Sequence, residues 1–426
     1  MKLIHVADLH LDSRLNTNLN EEKARERRHE LTGTWLRLVD YAAKHAVSAI
    51  LIAGDLFDTA AVTETTANAV IASISGHPEI AFFYVKGNHD QDSFLNREEK
   101  LPDNLYLFGD SWKTYRLSEG IAISGRELGT NQNAVASHLP ADWVSRTLQL
   151  EEENFNIVML HGQIVDSSHK ETETRPMLHQ SGGENVDNAA PTQSETASGA
   201  GESRVSAEHT VDNLAGGAVT GDGEEIHLPE FANHYIDYLA LGHVHKYMEG
   251  QLDGRGIWCY PGCLEGRGFD ECGAHGFVLM DLDPETHSMT RERIDIAARH
   301  LHEVTVDVSG LESTAAMEKA ISHQLTEGKT SGALPAKDFV KVILSGELSM
   351  EAEMNLPFLE SRLGTMFYVT RLENRTTRHI PYDKFREDRS LKGAFIRNVE
   401  QDPALTPEIR AEIIETGLRL LRGQEV

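Results

Sequence analysis

Five short clusters of acids, histidines and one asparagine follow apolar runs along this 426-residue chain. They read Asp8-Leu9-His10, Gly54-Asp55-Leu56-Phe57-Asp58, Gly87-Asn88-His89-Asp90, His161-Gly162 and Gly242-His243-Val244-His245. Each alone is weak, since a glycine before an acid is usually a turn and a lone His-x-His is common. Together they supply carboxylate, amide and imidazole donors, the set that holds hard or borderline divalent cations. Two such cations roughly 3.5–4 Å apart need a bridging carboxylate and room for a phosphate. Asp55 is the natural bridge. Asp8, His10 and His245 then complete one cation, and Asn88, His161 and His243 the other. Nitrogen and oxygen ligation without cysteine suits Mn²⁺, with Fe²⁺, Zn²⁺ or Mg²⁺ as alternatives. His89 follows a ligand but is aimed elsewhere in such a turn, which makes it the candidate general acid. Asp58 and Asp90 are candidates for steadying ligands or positioning substrate, and Asp58 reads equally well as a hydrogen-bond acceptor behind a ligand.

Such clusters need strands to bring them together. Leu3–Ala7, Ala49–Ala53, Phe82–Val85, Ile157–Leu160 and Ile236–Leu241 are nearly continuous apolar runs, the pattern of strands covered on both faces. Between the first three, Leu31, Trp35, Leu38, Val39 and Ala42, then Ala67, Val70, Ile71 and Ile74, recur at helical spacing. The fold class is α/β, and ligands in open α/β sheets collect at the carboxyl ends of the strands. Residues 1–300 form the first domain. Within it, residues 168–225 read as a disordered acidic insertion, rich in Ser, Thr, Gly, Ala and Glu without apolar periodicity. A compact α/β unit follows over 301–373, and 374–426 reads as a helical tail, with Ile409, Ile413, Leu418, Leu420 and Leu421 on one apolar face.

The five clusters resemble the signature blocks of the calcineurin-like metallophosphoesterases. Within that superfamily the chain is most similar to the SbcD-type DNA repair exonucleases. His5-Val6-Ala7-Asp8-Leu9-His10-Leu11-Asp12-Ser13 is similar to that subfamily's start, and Tyr260-Pro261-Gly262-Cys263-Leu264-Glu265 with Gly268-Phe269-Asp270-Glu271 resembles its Tyr-Pro-Gly-Ser block. The unit at 301–373 sits where the subfamily has a DNA-capping domain. The resemblance spans roughly 1–165 and 226–373. It implies a four-layer core of two packed mixed sheets flanked by helices, plus a small α/β capping domain and a helical tail. It also implies a Mn²⁺-dependent phosphodiesterase, an exonuclease with endonuclease action as a further option. In-line attack would occur on DNA ends, with His89 assisting departure of the 3′ oxygen. Relatives dimerise and pair with an SMC-like ATPase, so the tail becomes the candidate docking segment. Asp12 stands where Gly is common and Cys263 where Ser is, and neither is a proposed ligand. The metal clusters alone leave open a phosphoesterase acting on cyclic nucleotides or phosphoproteins, or a non-catalytic scaffold.

Composition narrows the rest. With 40 basic and 67 acidic residues the formal charge is −27, which disfavours a broad basic grip on nucleic acid. Twelve acids and three bases fall between Asp166 and Glu225, so a third of that charge sits in the insertion. Bound cations would reverse the field locally, and the acidity predicts weak DNA affinity for the isolated subunit. Three cysteines, Cys259, Cys263 and Cys272, lack zinc spacing and read as structural. Their scarcity and an N-terminus without a signal-like apolar stretch lead us to expect a cytoplasmic protein with no membrane segment. His5 reads as a core histidine. Lys23, Arg25, Arg27 and Arg28 are interleaved with Glu21, Glu22, Glu26 and Glu30, so they fit either phosphate contacts or a solvated helix face.

Overall fold

The computed structural model describes residues 1–15, 19–58, 62–90, 101–127, 148–165, 225–379 and 388–421. The acidic segment expected at 168–225 lies outside the described residues apart from Glu225. Two six-stranded mixed sheets lie face to face. In the first, β1 (Lys2–Val6), β2 (Ala49–Ala53), β3 (Ala81–Val85) and β4 (Leu105–Leu107) run parallel. The second holds β5 (Lys113–Ser118), β6 (Ile121–Gly125), β7 (Phe155–His161), β10 (Tyr238–Gly242), β11 (Met248–Gln251) and β12 (Ile257–Tyr260). Its inner strands β6, β7, β10 and β12 are parallel, with β5 and β11 antiparallel at the edges. Between β7 and β10 the chain adds a two-residue pair, β8 (Gln163–Ile164) with β9 (Glu225–Ile226). The first sheet is completed by β13 (Gly276–Asp283) antiparallel to β1 and β14 (Ser288–Asp295) beyond it.

The strands are apolar on both faces because each face meets a different layer. Leu3, Leu51, Phe83 and Val85 point to the second sheet and meet Ile123, Phe155, Ile157, Met159 and Tyr238. Their neighbours Ile4, Val6, Ile50, Ile52 and Phe82 point to helices α1 (Glu21–Lys44) and α2 (Glu64–Ser75). Asn20 caps α1 by accepting from Lys23 N at 2.9 Å, and Leu31, Trp35, Leu38 and Ala42 form its buried stripe. With β1, β2, β3, β7 and β10 all parallel within their sheets, their carboxyl ends can share one edge.

Farther along, β15 (Leu301–Asp307), β16 (Phe339–Ser345) and β18 (Val369–Asn374) make a parallel three-stranded sheet. The helices Thr314–Ser331 and Leu356–Leu363 pack on it through Met317, Ile321, Leu325, Leu359 and Leu363. The second starts at a cap by Asn355, after β17 (Glu347–Ser349). The tail, expected to be helical, does not begin as a helix: Thr377–His379 forms β19 alongside β17, as its β-branched start favours. The helices Leu391–Glu400 and Pro407–Leu421 then pack through Ile396, Val399, Ile414 and Leu418. Ile409, Leu420 and Leu421 are exposed, so the buried face is rotated from the one expected. Among the described residues no helix is long and apolar enough to cross a membrane. The three cysteines are free, Cys259 and Cys263 buried and Cys272 exposed.

Neither reading of the basic cluster on α1 fits Arg27 or Lys23. Arg27 is buried and pairs with Glu265 at 3.0 Å, and Lys23 lies over the Tyr368 ring of the three-stranded unit. Arg299, stacked on Tyr368 at 3.6 Å, reaches back to Glu26 and Glu30 of α1. These charges join elements that sequence spacing does not relate.

Candidate metal centre

The five clusters follow the carboxyl ends of β1, β2, β3, β7 and β10 and meet at one place. Close approach there dictates small residues. At Gly54, with φ +90°, a Cβ would overlap the His161 ring, and at Gly242 it would overlap the Ala53 carbonyl. Asp8, His10, Asp55 and His243 hold φ values of 54°, 45°, 50° and 107°, a left-handed backbone that ordinary side chains avoid. Hydrogen bonds between the first two turns sustain it: Asp8 N donates to Gly54 O at 3.1 Å and His10 N to Asp55 O at 2.9 Å.

Asp8, His10 and His245 form one donor group, with His10 Nε2 3.1 Å from His245 Nε2 and His245 Nε2 4.0 Å from Asp8 Oδ1. His161, Asn88 and His243 form the other, with Asn88 Oδ1 3.1 Å from His161 Nε2 and 3.4 Å from His243 Nδ1. Asp55 lies between them. Its Oδ2 is 3.6 Å from His10 Nε2 and 3.4 Å from His161 Nε2, while Oδ1 accepts from the His89 N–H at 2.9 Å.

The donor set fits divalent cations on its outer contacts as well. His10 Nδ1 faces Asp58 Oδ1 at 2.9 Å, His161 Nδ1 the Ala53 carbonyl at 2.9 Å, and His245 Nδ1 Glu271 Oε1 at 2.6 Å. A ring that donates from Nδ1 to an acceptor presents its Nε2 lone pair inward, the arrangement typical of metal-holding histidines. Asp58 therefore stands behind His10. Asp90 faces away from the open space, its carboxylate accepting from Leu56, Phe57 and Gly87 N–H groups at 3.2, 2.8 and 3.0 Å. It ties the turn after β2 to the turn after β3. His89 is half-exposed at the mouth, its ring edge-on to His10 at 4.9 Å and its Nδ1 3.7 Å from Asp58 Oδ1.

Electrostatics favour charge on one pair. Burial opposes the Asp55 charge, but His161 overcomes it and holds the carboxyl well below its usual range. Burial likewise pulls His161 down, yet Asp55 and Asp8 push it up to about 9. Burial, with the Arg267 charge, lowers His10 to about 4; burial, with His161, does the same for His243. Burial raises Asp8. At His245 burial is outweighed by the Glu271 hydrogen bond, and the pKa rises. Without a cation, His161 is an imidazolium beside the Asp55 carboxylate, and its proton occupies the position a cation would compete for.

Two residues of the centre have no assigned role in the sequence reading. Glu271 belongs to a quoted block, and Arg267 falls between two of them. Nothing in their spacing reveals that a loop returns them to His245 and Asp58.

Comparison with known proteins follows the same lines. The calcineurin-like phosphoesterase family matches residues 1–247. The uncharacterized metallophosphoesterase YhaO of Bacillus subtilis (strain 168) is 23% identical over 333 residues, spanning 77% of this chain and 67% of that protein. Among solved structures, TT1561 of Thermus thermophilus is 12% identical with a TM-score of 0.35, spanning 69% of this chain and 98% of that one. Nuclease MPE of Pseudomonas putida is 17% identical with a TM-score of 0.19, spanning 37% of this chain and 58% of that one. At such scores neither superposition bears on fold or function.

Proposed function

Because the chain belongs to the calcineurin-like phosphoesterases, hydrolases that use divalent metal, we propose that it binds two cations and cleaves phosphodiesters at DNA ends. The observation that carries this reading is the Asp55 Oδ2 atom, 3.6 Å from His10 Nε2 and 3.4 Å from His161 Nε2, with a donor group on either side. Asp8, His10 and His245 would hold one cation, and Asn88, His161 and His243 the other, with the Asp55 carboxylate available to both groups. Bound divalent cations supply Lewis acidity toward a phosphoryl oxygen and an attacking water. Mn²⁺ suits the donor set best.

The chain's own residues do the rest. Asp58, Glu271 and the Ala53 carbonyl fix the imidazoles so that no reorganisation is needed when substrate arrives. Asp90 keeps the Asp55 and Asn88 turns in register. His89, open to solvent and steadied by His10 and Asp58, protonates the departing 3′ oxygen. Support for DNA over a smaller phosphodiester comes from the Tyr260–Glu265 block and from the added α/β unit. That unit reaches the loop behind His245 through Phe339, whose ring lies 6.0 Å from Phe269. A dimer and an SMC-like ATPase supply the grip that an acidic subunit lacks, and the helices after residue 388 dock the ATPase.

The test is an assay of the purified chain with Mn²⁺ on end-labelled duplex and single-stranded DNA. Nucleotide release by the wild type, abolished by chelator and by Asp55→Ala, is the expected result. Hydrolysis of a generic phosphodiester dye with no attack on DNA, even with the ATPase present, would replace DNA by another phosphoester. Unchanged ATPase capture after truncation at residue 388 would remove the docking role of the tail.

A further inference from the structure

Arg267 stands between the two carboxylates that hold histidine Nδ1 atoms. Its Nη1 donates to Asp58 Oδ1 at 3.2 Å and its Nη2 to Glu271 Oε1 at 3.2 Å. Those same oxygens face His10 Nδ1 at 2.9 Å and His245 Nδ1 at 2.6 Å. The Arg267 main-chain N–H also donates to Glu271 Oε2 at 2.7 Å, so one residue engages both oxygens of that carboxylate. The two imidazoles held in this way bring their Nε2 atoms to 3.1 Å beside Asp8.

A guanidinium is planar and carries its two outer nitrogens at a fixed separation, which a single ammonium cannot reproduce. The loop bearing it is also held from behind. Gly266 O accepts from Arg27 Nη2 at 2.9 Å, and Arg27 pairs with Glu265 at 3.0 Å, both side chains being 1% exposed. The Arg267 backbone is therefore fixed independently of the cluster it serves. By contrast, His161 of the other donor group leans on the Ala53 carbonyl.

We propose that Arg267 is a positioning residue for one of the two cations: it locks Asp58 and Glu271 at the separation that keeps His10 and His245 converged on Asp8. The effect is one-sided. This inference rests on the two-cation reading, and the experiment separates the two.

The full chain, stripped with chelator, is titrated with Mn²⁺, and free ion is followed by electron paramagnetic resonance for the wild type and Arg267→Lys. The lysine variant keeps the charge beside Asp58 and Glu271 but cannot span them. One ion is expected to bind about 10- to 100-fold more weakly, the other as in the wild type, with the melting temperature of the cation-free chain unchanged. Should Arg267→Lys fail to fold, Arg267→Met combined with Glu271→Gln removes the uncompensated charge, and its loss is read against Glu271→Gln alone. Wild-type binding of both ions by the variant, or equal weakening of both, would overturn the positioning role while leaving the two-cation reading intact. A wild type that takes up no pair of ions would overturn that reading and this inference with it.

Discussion

Two histidines of the centre differ in what they should do to the reaction and to the cations. The His89 side chain is not among the proposed donors, and its contact with Asp55 is through the main-chain N–H, so His89→Ala should retain both cations and lower kcat by about 10²- to 10⁴-fold, whereas Asp55→Ala should lose cation binding itself. Paired cation counts and single-turnover rates on DNA check both. His161 gives a pH signature. In the cation-free protein its pKa is raised from 6.5 to about 9 by Asp55, against burial, so at pH 7 it carries a proton that a cation must expel. Calorimetric titration with Mn²⁺ in buffers of different ionisation enthalpy should register at least one proton released per chain at pH 7, His245 adding to it because its pKa is raised as well. Affinity should rise with pH until it levels near 9. A buffer-independent heat would contradict this. The raised pKa also means that the pair's stabilisation of the cation-free chain is complete below 6.5 and lost as pH rises through about 9. The inner donors are legible in the sequence because cation chemistry restricts them to a few residue types after apolar runs. Arg267 and Glu271 are not, because an Arg and a Glu four apart have many commoner uses.

The elements explain why the donors sit where they do. The apolar runs announce β1, β2, β3, β7 and β10 because strands covered on both faces leave little room for polar side chains. Their pairing into two sheets is not legible, since Leu51 and Ile52 look alike in sequence yet face different layers. Gly242 carries the joint between the sheets: Gly242→Ala drives a Cβ into the Ala53 carbonyl and should cost about 1–3 kcal/mol and weaken cation binding through His161. Urea unfolding with and without Mn²⁺ checks it. His5, on β1 and 2.9 Å from the Tyr238 hydroxyl, is the core histidine that its place in an apolar run implies. Burial lowers its pKa from 6.5 to about 3, so below 6.5 the unfolded chain takes up a proton that the folded one refuses. Stability contributed at this position should fall by about 1.4 kcal/mol per pH unit from 6.5 toward 3. His5→Gln should flatten that acid limb in denaturation series run at pH 7, 6, 5 and 4.

At the scale of the molecule, charges that look like a solvated helix face join the α/β unit to the core. Arg27 is the buried member: its guanidinium lies 5.5 Å from the Phe339 ring of that unit and pairs with Glu265 of the core, both side chains 1% exposed. Arg27→Met leaves buried Glu265 only the half-exposed Arg37, 3.6 Å away, as a cationic partner and should cost about 3 kcal/mol, with most of it recovered when Glu265→Gln is added. Thermal unfolding of the four-member cycle reads this directly. Such contacts escape sequence reasoning because they bridge residues more than two hundred positions apart. The net charge of −27 concerns solubility and average steering, whereas the donor pair determines the local field. Whether two cations share Asp55 therefore decides what the centre can do. Electron paramagnetic resonance of the Mn²⁺-loaded chain tests that without reference to any substrate. Two ions per chain, about 3.5–4 Å apart and spin-coupled, with the coupling lost in Asp55→Ala, is the predicted result. A single uncoupled ion, or two that remain uncoupled in the wild type, would contradict it.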